Sequence, residues 1–328
     1  MPTPENVILR ELLDSEPGWI SGAKLASKLK LSRVAVWHHM EKLRAQGFDF
    51  EARPARGYRL TARPALLHAG LIELQLKVRP RGFSITVLDE IDSTNDEAAR
   101  RLAAGQASPF AVLARRQTRG RGRFGRAWHS EPNGNLYASF AFRPAVPPER
   151  MQTFTLWMGV NVCELIANFT RLSPGLKWPN DIVFDGRKAG GMLTEARIDA
   201  DRIRDLVFGL GLNVNGGSAG WPADLARRAT ALSALAGGPL DLNRLAAAIV
   251  GRVLLAYERF ADGEHAESFA DLWHRYDVLR GRRATVLEGS RPHAGTVVGI
   301  DGEGALLLRD DHGRTRRFRA GEVSLEKE

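Results

Sequence analysis

Apolar residues along this chain change their spacing twice, and the two changes restrict it to a multidomain α+β architecture. Up to Gly47 they recur every three to four residues. "NVILRELLD" sets Val7, Ile8, Leu12 and Leu13 on one helical face, and "SGAKLASKLKLS" starts at a capping Ser21 and repeats Leu25 and Leu29. Ser32 caps a third helix, "RVAVWHHMEKLRAQG", whose apolar side is Val34, Val36, Met40 and Leu43 and whose stop is Gly47. Alternation then takes over in "FDFEARPARGYRLT", a hairpin around Pro-Ala-Arg-Gly. Helix, helix, turn, helix, basic hairpin is a winged helix-turn-helix order over residues 1–62. Its third helix would offer Ser32, Arg33, Trp37 and His38 to a major groove, and Arg53, Arg56 and Arg59 on the hairpin would meet phosphates. Eleven Lys/Arg against seven Asp/Glu through Arg63 is only mildly basic. A small helical docking domain with a solvated basic face fits the same pattern.

The middle of the chain, 63–277, mixes both periods. Strand-like runs include "FSITVLD", "FAVLARRQ", "NLYASFAF", "GLKWP", "DIVFD" and "RIRDLVFGLGLNVN"; helical patterns lie at 150–170 and 241–261. The order predicts a mixed α/β domain large enough for an enzyme. Residues 216–240, rich in Gly, Ala and Pro, read as a loop with one short helix, and 62–82 as a connection with a short helix in "ALLHAGLIELQL". Five short strands over 278–328 predict a small SH3-like β-barrel.

One cysteine in 328 residues excludes an internal disulfide and a cysteine-built zinc site. Cys163 sits in "LWMGVNVCELI", a buried helix face, and a lone thiol suits a reducing cytoplasm. No apolar run reaches the ~18 residues of a membrane span, and the acidic, amphipathic N-terminus is unlike a signal peptide. Net charge of +9 favours polyanionic partners.

The chemistry concentrates in a few stretches. "TRGRGRFGRAWHS", residues 118–130, holds four arginines and three glycines. Glycines let the backbone approach a ligand, and guanidinium forks grip phosphate or carboxylate oxygens. Ordering such a segment costs roughly 1–2 kcal/mol per residue in backbone entropy, which a ligand with several negative charges offsets. The stretch therefore reads as a polyphosphate-binding loop that is mobile until an anion arrives. An RG-rich nucleic-acid tail is disfavoured because strand-like runs flank it closely. GxxxxGK[ST], HExxH and GxSxG do not occur, and "GLGLNVN" lacks GxGxxG. "KWPND", 177–181, joins a cation, a Trp-Pro corner, an amide and a carboxylate, with Asp181 a candidate for Mg²⁺ or ribose. "GRKAGGMLTEA" puts Lys188 ahead of two glycines at a strand start, where it can stabilise an acyl phosphate. "DSTNDEA" supplies Ser93, Thr94 and Asn95 at a strand-to-helix junction, as an N-cap or as a grip on a polar head group.

In this order and spacing, "GRGRFGRAW", "KWPND", "GRKAGGML" and "DSTN" resemble the biotin–protein ligases, and the flanking domains resemble their bifunctional type, the biotin operon repressors. The resemblance spans nearly the whole chain. It implies ATP, Mg²⁺ and biotin, with a biotin carboxyl carrier protein as acceptor, operator DNA as a second partner, and a homodimer when biotinoyl-AMP is bound. It assigns Ser93, Thr94, Asn95, Gln117, Gly120 and Arg121 to biotin, and Gly191 and Gly211 to its acyl path. Arg121, Arg123 and Lys188 would be catalytic and touch both substrates; Asn180, Asp181 and Asn213 would face nucleotide and metal. Phe124, where a basic residue is common, and Gly190 depart from the family pattern. Lipoate–protein ligase is the related alternative; a DNA-binding regulator that only senses a nucleotide-like ligand is the non-enzymatic one.

Overall fold

The hydroxyls of Thr3, Ser21 and Ser32 each accept a backbone N–H three residues on and so start three helices, α1 (Pro4–Asp14), α2 (Gly22–Leu29) and α3 (Arg33–Ala45). The computed structural model describes residues 3–76, 80–132, 134–199, 202–217 and 220–325. Residues 77–79, inside the expected connection 62–82, lie outside that set. The chain divides into two units, 1–76 and 77–328.

In the first unit Ile8, Leu9, Leu12, Leu25, Val36, Met40, Leu43 and Phe48 form one buried cluster. Val34 does not join it: it is 66% exposed, which corrects its expected place on the apolar side of α3. Val36, Met40 and Leu43 occupy the inward stripe, and a residue two before Val36 points the opposite way on a 3.6-residue helix. The hairpin pairs β1 (Asp49–Arg53) with β2 (Gly57–Ala62), and Ile20 bridges to Tyr58 at its other edge. Gly57 has φ +98, and a Cβ there would stand 2.1 Å from the Ile20 carbonyl oxygen, so only glycine closes this wing. A short helix, α4 (Ala69–Gln75), packs Leu71 into the same cluster.

The second unit is built on a seven-stranded mixed sheet. Its first half runs β3 (Ser84–Ile91), α5 (Thr94–Ala103), β4 (Phe110–Gln117), β5 (Leu136–Phe142) and α6 (Phe154–Thr170). β6 (Gly175–Lys177), β7 (Asp181–Phe184), β8 (Arg187–Asp199) and β9 (Arg202–Leu212) follow, giving the order β3-β4-β5-β9-β8-β7-β6. Only β3 and β4 are parallel. Every residue of β5 is buried, as a strand covered on both faces requires. Ala98 and Leu102 of α5 pack on Phe110, Val112, Ala141 and Val207 on one side. Phe154 of α6 meets Phe208 on the other.

Residues 216–240 carry two short helices, α7 (Ala223–Arg228) and α8 (Leu232–Ala236), where one was expected. α9 (Leu242–Ala261) lies along α6, with Trp157 Nε1 donating to the Ala256 carbonyl at 2.8 Å. α10 (Ala266–Tyr276) follows, a helix absent from the sequence expectation. Cys163 is buried in α6. β10 (Arg283–Glu288), β11 (Arg291–Ile300), β12 (Leu306–Arg309), β13 (Thr315–Phe318) and β14 (Glu322–Leu325) form the C-terminal five-stranded antiparallel sheet, ordered β13-β12-β11-β10-β14. No described helix is long and apolar enough to cross a membrane.

Candidate active site

Strand register builds the floor of the site. Asp181 on β7 lies opposite Gly191 on β8, and Gly191 lies opposite Gly211 on β9. Two successive strands thus lack a side chain on the face where α5 packs. The space goes to an aromatic ring: a Cβ at Gly211 would meet Trp128 at 2.7 Å, and one at Gly191 would meet it at 2.9 Å. Above this floor opens a cavity of about 930 Å³, lined by the loop 121–129, by 177–181, by Lys188, by the segment 221–229 and by 321–325.

At one end the cavity reaches the start of α5. Ser93 caps the helix, and Ser93, Thr94 and Asn95 are buried. Thr94 donates to Gln117 Oε1 through its backbone N–H at 2.8 Å and its hydroxyl at 3.0 Å. The Ser139 hydroxyl lies 2.8 Å from Thr94 Oγ1 and 2.5 Å from Asn95 Oδ1. Asn95 Nδ2 donates to Glu195 Oε2 at 2.7 Å. The cap of α5 and the residues expected to grip a head group therefore form one polar cluster. Ser139 and Glu195 belong to it and escaped the sequence reading, because nothing in a strand's own sequence tells which helix end it faces.

The arginine loop forms a tight hairpin. Trp128 N–H donates to the Gly120 carbonyl and Gly122 N–H to the Arg126 carbonyl, at 2.8 and 2.7 Å. Phe124 turns the tip at φ +57 and is 66% exposed. In sequence the four guanidinium groups have only each other; in the fold each has an acceptor. Arg119 reaches Asp92, Arg121 pairs with Asp96 and Glu195, Arg123 donates to the Gly321 carbonyl at 3.2 Å, and Arg126 pairs with Glu322. The last two acceptors come from the C-terminal segment, about 200 residues away in sequence. Burial opposes the charge on Arg121, but Glu195 and Asp96 outweigh it and raise its pKa. Arg123 is more enclosed, and burial lowers its pKa despite Asp181 and Glu322. Gly120 does not line the cavity; it packs against Gln117 and Trp128 behind the wall.

Lys188 Nζ lies 2.6 Å from Asp181 Oδ1 and 5.2 Å from the centre of the Trp128 ring. Lys177 lines the same wall. Burial lowers its pKa, with Asp181 and Glu322 pulling the other way and Lys188 adding to the fall. Asp181 and Glu322 are both engaged by other cations, so Lys177 is a half-buried ammonium facing the cavity without a close carboxylate among the described residues. The sequence marks Lys177 only as the cation of "KWPND"; its place on the cavity wall comes from the fold. Asn180 and Asn213 line the cavity too, but their side-chain amides hold the Met192 and Thr230 carbonyls at 2.7 and 3.1 Å. At the far end Trp221 packs with Ala229, Ala231 and Leu225, an apolar cluster beside the loop. Trp128 Nε1 is buried without a hydrogen-bond partner among the described residues.

The first unit carries the other expected residues. Ser32 spends its hydroxyl on the cap of α3. Arg33, Trp37 and His38 are exposed on that helix. Arg53 and Arg59 both bond Glu51 and lie over the Trp19 ring at 5.2 and 5.0 Å, whereas Arg56 at the wing tip has no side-chain partner among the described residues.

Residues 87–213 match the biotin/lipoate A/B protein ligase family, 5–59 a helix-turn-helix domain and 281–326 the biotin protein ligase C-terminal domain. The chain is 35% identical over 308 residues to the bifunctional ligase/repressor BirA of Bacillus subtilis, covering 92% of this chain and 93% of that one. It is 32% identical over 314 residues to BirA of Escherichia coli, covering 93% and 92%. Among solved structures it resembles the Aquifex aeolicus biotin protein ligase in complex with biotin and ATP: TM-score 0.63, 29% identity, 74% of this chain and 99% of that one. The chain belongs to the biotin–protein ligases, in the bifunctional branch that carries an N-terminal helix-turn-helix.

Proposed function

We propose that this ligase joins biotin to a lysine of a biotin carboxyl carrier protein in two steps and also acts as a biotin-responsive repressor. A biotin carboxylate oxygen attacks the α-phosphorus of ATP, the bond to the leaving oxygen breaks, and biotinoyl-5′-AMP and pyrophosphate form. The carrier amine then attacks the acyl carbon and AMP leaves. One observation carries this reading: Arg121, Arg123, Lys177 and Lys188 converge on a glycine floor beside a buried polar cluster. Two anions approach each other only where fixed cations screen them.

Ser93, Thr94, Asn95 and Gln117 hold the biotin head group, with Gly120 supporting the wall and Arg121 closing it. Gly191 and Gly211 leave room for the acyl chain under Trp128. Lys188 and Arg123 stabilise charge on the carboxyl oxygen and α-phosphate, and Lys177 meets the departing pyrophosphate. Trp128, Trp221, Leu225 and Ala229 supply an apolar slot for adenine, with Asn180 and Asn213 fixing its borders. Asp181 offers one hard oxygen ligand, which suits Mg²⁺ that takes its other ligands from phosphate and water. A closed loop shields the anhydride from water.

The work divides over 1–62 for DNA, 63–277 for both substrates and 278–328 for anchoring the loop, in a cytoplasmic protein. Arg33, Trp37, His38 and Arg56 face operator DNA, with Ser32 starting the helix that carries them. Bound biotinoyl-AMP orders the loop and favours a homodimer that presents two wings to a two-fold operator. The direct test is pyrophosphate release from ATP with biotin, with lipoate as comparison. Release with biotin supports the reading. Release only with lipoate exchanges the substrate, and no release with either leaves a regulator without ligase chemistry.

A further inference from the structure

α3 shows an anomaly on its outward face. Val36, Met40 and Leu43 satisfy the core, yet Val34 and Trp37, one turn apart, stand 66% and 47% exposed. These two and Phe124 in the other unit are among the few large apolar side chains the protein leaves in water. Arginines belong to the same unit: Arg33 directly precedes Val34, and Arg56, with no side-chain partner among the described residues, stands at the tip of the wing; the His38 ring packs edge-on to Trp37 at 5.0 Å. Glu41, the next residue along this face, is neutralised by Arg44. An apolar pair on a helix face that begins with Arg33, in a unit whose wing tip carries Arg56, is a poor match for an apolar protein partner. It complements a polyanion that exposes small apolar groups between charged walls. In the major groove of duplex DNA, the thymine C5-methyl is the apolar group on the base edges, and phosphates flank it.

We propose that Val34 and Trp37 read thymine methyl groups in the major groove, so that this protein selects T·A pairs at the position each side chain covers. The inference rests on the DNA-binding reading of the first unit and adds to it the base identity and the residues that choose it. Arg33 and Arg56 hold phosphates and set register; Val34 and Trp37 supply discrimination by burial of a methyl group.

The test uses the full chain with biotin, ATP and Mg²⁺. A random duplex pool is selected for binding, and each thymine of the recovered site is replaced in turn by deoxyuridine, which lacks only the methyl. The expected result is a loss of about fourfold in affinity at one or two thymines per half-site, from burial of one methyl-sized group each. A Val34→Ser, Trp37→Ala double variant, confirmed to melt at the wild-type temperature, should bind the uridine and thymine duplexes equally. Undiminished wild-type binding to every uridine duplex would overturn the inference while leaving DNA binding intact. So would a double variant that keeps the uridine penalty, or one whose main change is in self-association. A pool that yields no enriched sequence would remove the operator-binding reading itself, and this inference with it.

Discussion

Gly209 and Gly211 stand two residues apart on β9 and face the same side of the sheet, but a methyl group at each would strike a different part of the site. At Gly211 it would lie 2.7 Å from the Trp128 ring, about 0.7 Å inside ordinary contact at 3.4 Å. The Trp128 backbone is tied to the Gly120 carbonyl by a 2.8 Å hydrogen bond, so relief means moving the wall over the reacting centre. At Gly209 the methyl would lie 2.2 Å from Asn95 Oδ1, which would have to leave Ser139 and drag the start of α5 with it. Overpacking of this kind costs about 1–3 kcal/mol, or roughly 5- to 150-fold in affinity. Gly211→Ala, which crowds both the Trp128 ring and the acyl path, should therefore raise KM for ATP by such a factor and weaken biotin binding as well. Gly209→Ala should weaken biotin binding and change KM for ATP by less than about threefold. Pyrophosphate exchange gives the KM values and titration calorimetry the biotin Kd. An identical profile for the two variants, or an unchanged KM for ATP in Gly211→Ala, would refute the division of the site between Asn95 and Trp128.

Lys188→Met should cut the adenylation rate by about 10²–10³ and leave transfer from supplied biotinoyl-AMP less affected, as single-turnover assays of the two half-reactions would show. Arg123→Gly should let biotinoyl-AMP escape, measured as labelling of bystander proteins; Glu322→Gln, which loses an exposed ion pair worth about 0–1 kcal/mol, should leak less. Lys177→Met should raise KM for pyrophosphate in the reverse reaction. Burial lowers the Lys177 pKa, so the protonated, phosphate-binding form is lost as pH rises through a value below the 10.5 of a free lysine. The alkaline limb of pyrophosphate affinity should therefore move to higher pH in Lys177→Arg. Sedimentation should show dimers only with biotin and ATP present; the same oligomer with and without them would remove ligand control of assembly.

Local chemistry made much of this legible from the sequence. Helix caps at Ser21, Ser32 and Ser93 and the hairpin around Gly57 are encoded within a few residues of where they act. The loop motif named the site because four arginines among three glycines have few other uses. Val34 was misplaced because an apolar residue in an amphipathic helix was assigned to the core by type, when its angular position sets it outside. Ser139, Glu195 and Glu322 were invisible for another reason: each meets its partner only after β5, β8 and β14 find their register, from 44 to 196 residues away. Arg121 and Arg126 likewise find Glu195 and Glu322 only once β8 and β14 are in place.

Central to this account is the transfer of biotin through an activated acyl phosphate held under the arginine loop. The most direct measurement is mass spectrometry of a carrier domain incubated with this protein, ATP, Mg²⁺ and biotin, with Arg123→Gly run beside it. The account predicts a single biotinoyl adduct on one carrier lysine from the wild type, and adducts scattered over several lysines from the variant. An unmodified carrier, or an adduct that forms without ATP, would contradict it.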